Sequence, residues 1–174
     1  MNTIFLIMGE SGSGKDSVVN ALCERYGYKK LKSYTTRERR TPDEDTHTFV
    51  TNRAFDELRD MVAWTNYGNH RYCATADQVD ESDLYIIDPD GVRYFKNHYH
   101  RQKRIFIIYL KTEMTTRMVR MLRRGDSVKQ AVQRLKLDRD RFSGAAVLAD
   151  KVVENKDFET CVSTIAQIME INKE

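Results

Sequence analysis

Residues 9–17 of the chain read GESGSGKDS. Gly9, Gly12 and Gly14 allow backbone N–H groups to close around an anion. Lys15 adds an ammonium, and the start of the helix that follows adds its partial positive charge. The chemistry is that of a polyphosphate cradle formed by Gly9, Ser11, Gly12, Ser13, Gly14, Lys15, Asp16 and Ser17. Such loops commonly place a hydroxyl directly after the lysine; here Asp16 stands there and Ser17 follows. Mg²⁺ takes hard oxygen ligands and keeps several waters, so Asp16 is a candidate ligand, direct or through water. It is equally a candidate for a first-turn aspartate favoured by the helix dipole, worth about 0.3–1 kcal/mol. A tight strand-to-helix turn with a surface lysine has the same composition.

The segment Ser33–Arg40, SYTTRERR, carries the second set of chemical groups. Arg37 and Arg40 lie among hydroxyls, and guanidinium forks grip phosphate oxygens bidentately. A basic surface loop is the alternative. Further along, Arg117, Arg120, Arg123, Arg124, Arg134, Arg139 and Arg141 form another basic cluster. Two arginine-rich segments beside a phosphate loop suit a ligand with several phosphates; solvated helix faces laced with acids such as Asp138 and Asp140 are the competing reading. Asp88 precedes Pro-Asp-Gly and is also a standard turn former. His47, His70, His98 and His100 show no metal-ligand spacing.

These groups need a scaffold. Strand signals recur at Ile4–Met8, Lys30–Tyr34, Leu84–Asp88, Arg104–Leu110 and Lys151–Glu154. Helical spacing covers Asp16–Arg25, Gly91–Asn97, Thr112–Arg123, Val128–Phe142 and Phe158–Ile171. Alternation of continuous apolar strands with helices predicts an α/β fold with a parallel central sheet covered on both faces. Residues 35–80 break the rhythm, holding Pro42 and short β-like runs, and read as an inserted lobe. Open parallel sheets bind ligands beyond the carboxyl ends of their strands. The glycine loop, the Ser33–Arg40 segment and Asp88 therefore converge on one crevice. On periodicity alone, Trp64 and Tyr72 read as lobe core, and Met114, Met118 and Met121 as helix packing.

Bulk properties narrow the classes. The 174 residues suit one domain, and 40% apolar content supports a real core. No apolar run reaches the roughly 18 residues of a membrane span, and the N-terminus lacks a basic n-region. A net charge of +3 does not suggest a nucleic-acid surface. Cys23, Cys73 and Cys161 are odd in number and form no CxxC pair, so a reducing cytoplasm is expected.

In order along the chain, GESGSGKDS, SYTTRERR, the Trp64 strand with Tyr72 after it, LYIIDPDG, RRGD followed by Arg134, and ADKVVENKD resemble the guanylate kinases over roughly residues 3–170. The resemblance implies a P-loop three-layer fold with a parallel sheet, an acceptor lobe at about 35–80 inserted into a core of 1–34 and 81–174, and a helical lid at about 123–145. It implies γ-phosphoryl transfer from ATP, with Mg²⁺, to a nucleoside monophosphate, GMP or dGMP. It implies nucleotide substrates as partners, neither nucleic acid nor membrane, and a monomer or homodimer. By the same resemblance Gly9–Ser17 hold the ATP phosphates and Asn155 lies beside the adenine. Arg37, Arg40 and Tyr72 hold the acceptor phosphate, and Ser33 and Asp88 meet the base. Lys15, Arg124 and Arg134 act on the transferring phosphoryl group.

The departures are specific. The family's carboxylate before the Trp, which accepts from guanine N1 and N2, is Ala63 here. A lobe tyrosine is replaced by His47, and the usual Tyr-Gly-Thr/Ser is Tyr72-Cys73-Ala74-Thr75. Loss of that acceptor should cost about 1–3 kcal/mol of base discrimination. The GKDS loop is similar to that of ribose 1,5-bisphosphate kinases, which also lack this carboxylate, although they usually lack the arginine kept here as Arg40. A non-catalytic guanylate-kinase-like protein-binding module is the remaining alternative; such modules tend to lose the lysine and lid arginines kept here.

Overall fold

The apolar run ahead of the glycine loop is buried along its whole length as β1 (Thr3–Gly9), because strands flank it on both sides. After it come α1 (Lys15–Tyr26), β2 (Tyr34–Thr35), β3 (Thr48–Phe49), α2 (Asn52–Asp56), β4 (Met61–Tyr67) and β5 (His70–Thr75). Then follow α3 (Ala76–Asp80), β6 (Leu84–Ile86), α4 (Pro89–His98), β7 (Arg104–Lys111) and α5 (Met114–Arg123). The chain finishes with α6 (Val128–Arg141), α7 (Ala145–Leu148), β8 (Lys151–Glu154) and α8 (Phe158–Asn172). The computed structural model describes all residues except Arg40 and Gly68.

One sheet has the order β6-β1-β7-β8, and all its pairings are parallel. Side chains alternate between its faces, so each face needs its own cover. Ile7, Phe5 and Ile108 pack with Val18, Val19 and Leu22 of α1 and with Val162, Ile165 and Met169 of α8. Ile4, Leu6, Met8 and Ile107 pack with Val92 and Phe95 of α4 and with Val62, Ala63 and Ala74 from the second sheet. That second sheet has the order β3-β2-β5-β4 and is antiparallel between β5 and both of its neighbours.

The run Lys30–Tyr34, expected as one strand of the central sheet, splits. Lys30 makes only an isolated bridge to Leu84, with the Leu31 N–H donating to the Leu84 carbonyl at 2.7 Å. Tyr34 and Thr35 leave that sheet and pair with β5 and β3. The polar alternation Lys30, Lys32 does not suit a strand covered on both faces. Met114 also departs from expectation: it is exposed on the first turn of α5, while Met121, two turns later, is fully buried. The helices α2, α3 and α7 have four or five residues each, too few to show a period, and went unread. Thr75 with Gln78 forms a capping box that a sequence can display even so short.

Candidate active site

The glycine loop follows β1 and ends in α1, with Gly14 as the N-cap at φ 89°. Gly12 has φ 76°, and a Cβ there would lie 2.7 Å from the Arg117 carbonyl oxygen. Both positions need glycine, one for its left-handed backbone and the other also for its close neighbour. The N–H groups of Lys15, Asp16 and Ser17 belong to the first turn of α1 and have no partner inside the helix. All three residues line a cavity of about 650 Å³, as do Ser11, Gly12 and Gly14. The loop is braced from outside. The Ser13 carbonyl accepts from Thr112 Oγ1 at 3.1 Å, Arg120 Nη1 at 3.0 Å and Asn155 Nδ2 at 2.8 Å. Asn155 thus holds the loop as well as lining the cavity. Ser13 is fully buried, with no partner for its hydroxyl among the described residues.

A smaller adjoining cavity, about 240 Å³, brings Gly9, Ser11 and Lys15 together with Ser33, His47, Tyr72 and Asp88. Sequence-distant groups therefore do share one cleft, with Lys15 and Arg134 on both parts. His47 Nδ1 and Ser33 Oγ share a hydrogen bond of 3.0 Å, and the imidazole meets the Tyr72 ring edge-on at 5.5 Å. Burial first, then the nearby Arg37 and Lys30, push the His47 imidazole down to about 4 from 6.5. The unfolded chain therefore binds more protons between those values. The contribution of neutral His47 is complete above pH 6.5 and is lost as pH falls through about 4. Its size is on the order of 3 kcal/mol. His47→Asn is expected to flatten the fall in urea-unfolding free energy between these pH values; parallel curves for both proteins would show that His47 does not titrate there.

Arg37 does not line this cleft. Its guanidinium is locked against Glu44, with bonds of 2.6 and 3.1 Å, and lies 5.3 Å from the Phe49 ring centre. It borders a separate recess with Thr36, Glu38 and Asn52. Its pKa is raised, first by the hydrogen bonding to Glu44 and also by Tyr72, so it stands next to a cleft residue without facing the cleft. Arg40 lies outside the described residues. Asp88 caps α4 and also lines the smaller cavity. Its Oδ1 caps α4 through the Gly91 N–H at 2.7 Å, and its Oδ2 accepts from Thr65 Oγ1 at 3.2 Å and Arg141 Nη1 at 3.0 Å.

The glycine loop and the arginine-bearing helices α5 and α6 thus share one cleft with Ser33, His47, Tyr72 and Asp88. The family model described as Guanylate kinase matches residues 1–172. The chain belongs to the guanylate kinase family. The names of the family and of its members indicate an ATP-dependent nucleoside monophosphate kinase. A guanylate kinase of Bordetella pertussis is 28% identical over 95% of this chain and 82% of its own length. One from Vibrio parahaemolyticus is 27% identical over 96% of this chain and 86% of its own. Among solved structures, a guanylate kinase from Anaplasma phagocytophilum shares the fold with TM-score 0.69 at 20% identity, covering 98% of this chain and 85% of that one. An uncharacterized protein from Eubacterium ventriosum gives TM-score 0.56 at 17% identity, covering 97% and 98% respectively.

In this guanylate kinase family member, Arg124 and Arg134 both line the larger cavity and both approach Asp126, at 2.8 and 3.5 Å. Sequence reasoning missed a third arginine. Arg117 is 5% exposed; its Nη1 meets Glu10 Oε1 at 2.7 Å, its Nη2 meets Asp138 Oδ2 at 2.8 Å, and its Nε donates to the Ser11 carbonyl at 2.9 Å. Asp138 also accepts the Ser11 N–H at 2.8 Å, and Tyr109 donates to Glu10 at 3.0 Å. Arg117 and Asp138 are thus not the solvated pair that their charged neighbourhood suggested; Arg139 and Asp140 are. Nothing local signals this, because the partners lie on different elements. Lys30, Arg120, Thr65, Tyr67, Tyr85 and Phe142 are further cleft residues not singled out as site groups.

For Mg²⁺, the described residues contain no group of three His, Cys, Asp or Glu that could hold a metal. The exposed Asp16 carboxylate, 65% accessible, and the Ser17 hydroxyl border the cavity. The fit is to an ion held mainly by substrate phosphates and water, with one protein oxygen at most contributing nearby.

Proposed function

We propose that the chain transfers the γ-phosphoryl group of ATP to GMP or dGMP in one in-line step without a covalent enzyme intermediate. The observation that carries this is the continuous cleft in which Lys15 and the loop adjoin Ser33, His47, Tyr72 and Asp88. Phosphoryl transfer asks mainly for positioning and charge neutralisation. The first-turn N–H groups and Lys15 would hold the β- and γ-phosphates, and Arg124 and Arg134, on a lid at about 123–145, would neutralise charge on the group in flight. Asp16 or Ser17 would help to hold Mg²⁺, which would supply positive charge against the phosphates. Asp16→Ala is expected to raise the Mg²⁺ concentration for half-maximal rate several-fold; an unchanged Mg²⁺ titration assigns Asp16 to the helix dipole instead.

On the acceptor side, Arg37 would meet the phosphate only by sharing or leaving Glu44. Arg37→Ala should raise the acceptor KM by about 10–100-fold with a smaller change in kcat. If it shifts only the melting temperature, Arg37 belongs to the lobe's internal structure. We take residues 35–80 as the acceptor lobe. We place the enzyme in the cytoplasm, in keeping with its three free cysteines, two of them buried.

A coupled ADP-release assay across the nucleoside monophosphates tests the proposal, with GMP and dGMP expected to be turned over. Ribose 1,5-bisphosphate belongs in the same panel, because Ala63 is buried in the core and brings no hydrogen-bonding side chain to the cleft. Turnover of that sugar phosphate alone would favour the second reading. ATP neither bound nor consumed would favour the binding-module reading.

A further inference from the structure

Arg141 is among the cleft residues that the phosphate-handling groups leave without a task. Arg141 ends α6, and its side chain, 25% exposed, enters the smaller cavity beside Tyr67, Asp88 and Phe142. Its Nη1 donates to Asp88 at 3.0 Å, its Nη2 to the Asn66 carbonyl at 3.3 Å, and its guanidinium carbon lies 5.2 Å from the Tyr67 ring centre. Nε stands 3.8 Å from Asp90. A guanidinium carries five N–H donors in a rigid fork and no acceptor. The Asp88 pair and the Tyr67 ring fix its plane, and donors remain for a ligand.

The carboxylates at this end of the cavity, Asp88 and Asp138, already accept from the protein's own donors. Ala63, 1% exposed, has only a methyl group, and it shares a face of β4 with Thr65 and Tyr67. Asp88 already accepts from Gly91, Thr65 and Arg141. Ser33 and His47 engage each other. The strongest donor on the wall formed by β4, Asp88 and α6 is therefore the Arg141 guanidinium, and a guanidinium selects for oxygen and ring nitrogen acceptors on the ligand.

We propose that Arg141 is a specificity-determining residue, donating to the O6 and N7 edge of a 6-oxopurine monophosphate and discriminating it from a 6-aminopurine. The inference rests on the nucleoside monophosphate kinase reading above and adds which atoms of the base are read. A guanidinium takes adjacent O6 and N7 acceptors bidentately, whereas adenine turns an amino donor toward it. That mismatch corresponds to roughly 10–100-fold in kcat/KM. Hypoxanthine offers the same O6 and N7 edge as guanine. With Ala63 in place of a base-reading carboxylate, the 2-amino group gains no dedicated acceptor, so IMP joins GMP as a substrate.

The test is acceptor-saturation kinetics by ADP release with GMP, IMP and AMP. In the unaltered protein GMP and IMP are expected within about tenfold of each other, and both well ahead of AMP. Arg141→Ala should reduce the 6-oxo over 6-amino preference by roughly 10–100-fold, mainly through KM. Arg141→Lys keeps a cation beside Asp88 but not the fork, so it should lose the same preference while retaining the melting temperature. An equal loss with all three acceptors, an unchanged preference in the Lys variant, or IMP turnover far below GMP overturns the proposal. No ADP with any of the three in the unaltered protein would instead refute the kinase reading on which it stands.

Discussion

Arg134→Ala is expected to lower kcat by about 10³-fold and to leave the acceptor KM within a few-fold. Arg134 is the α6 residue that lines both parts of the cleft, the loop side and the side of Tyr72 and Asp88. Its contact to Asp126 is a loose 3.5 Å, so moving toward a phosphoryl group breaks no close hydrogen bond there. An arginine aimed at charge that develops only in the transition state contributes to kcat and not to ground-state binding. Steady-state kinetics with both substrates varied would check this. A raised KM with kcat intact would make Arg134 a ground-state binder.

Arg117→Met should destabilise the fold by about 3–5 kcal/mol, the range for breaking a buried ion pair by removing one partner. For a chain of this size that lowers the melting temperature by roughly 10 °C. Arg117 is 5% exposed and ties β1's exit, through Glu10 and Ser11, to Asp138 on α6. Methionine fills similar space but leaves two carboxylates facing each other with fewer donors. Adding Asp138→Asn should restore part of the loss, since the two residues share one network. A melting temperature within about 2 °C of the unaltered protein for Arg117→Met would show that the network is worth little. The same variant should also slow turnover, because Asp138 and Arg117 hold Ser11 from its N–H and C=O sides.

The parts legible in the sequence were those specified locally. The glycine loop could be read because Gly12 and Gly14 need positive φ, and few residues other than glycine accept it. The strands β1, β6 and β7 could be read because a strand covered on both faces favours an unbroken apolar run. The helices α1, α4, α5, α6 and α8 showed their periods. The lobe's short helices and the split of Lys30–Tyr34 could not be read, since four or five residues show no period and a strand's choice of sheet depends on partners far along the chain.

Within the site, residue types announced phosphate chemistry, but orientation came from packing. Arg37 carries the right group for an anion, yet Glu44, seven positions on, claims it. Arg117 and Asp138 look like solvated charges until α5 and α6 bring them together over the loop. Arg141 became a cleft residue through distant partners, among them Asp88, 53 positions earlier. The sequence by itself determined a parallel α/β scaffold and a polyphosphate cradle, because backbone sterics and apolar periodicity act over a few residues. The tertiary structure alone decided which charges are paired, which are buried and which face the cleft, because ion pairs between separate elements form only once the elements are packed.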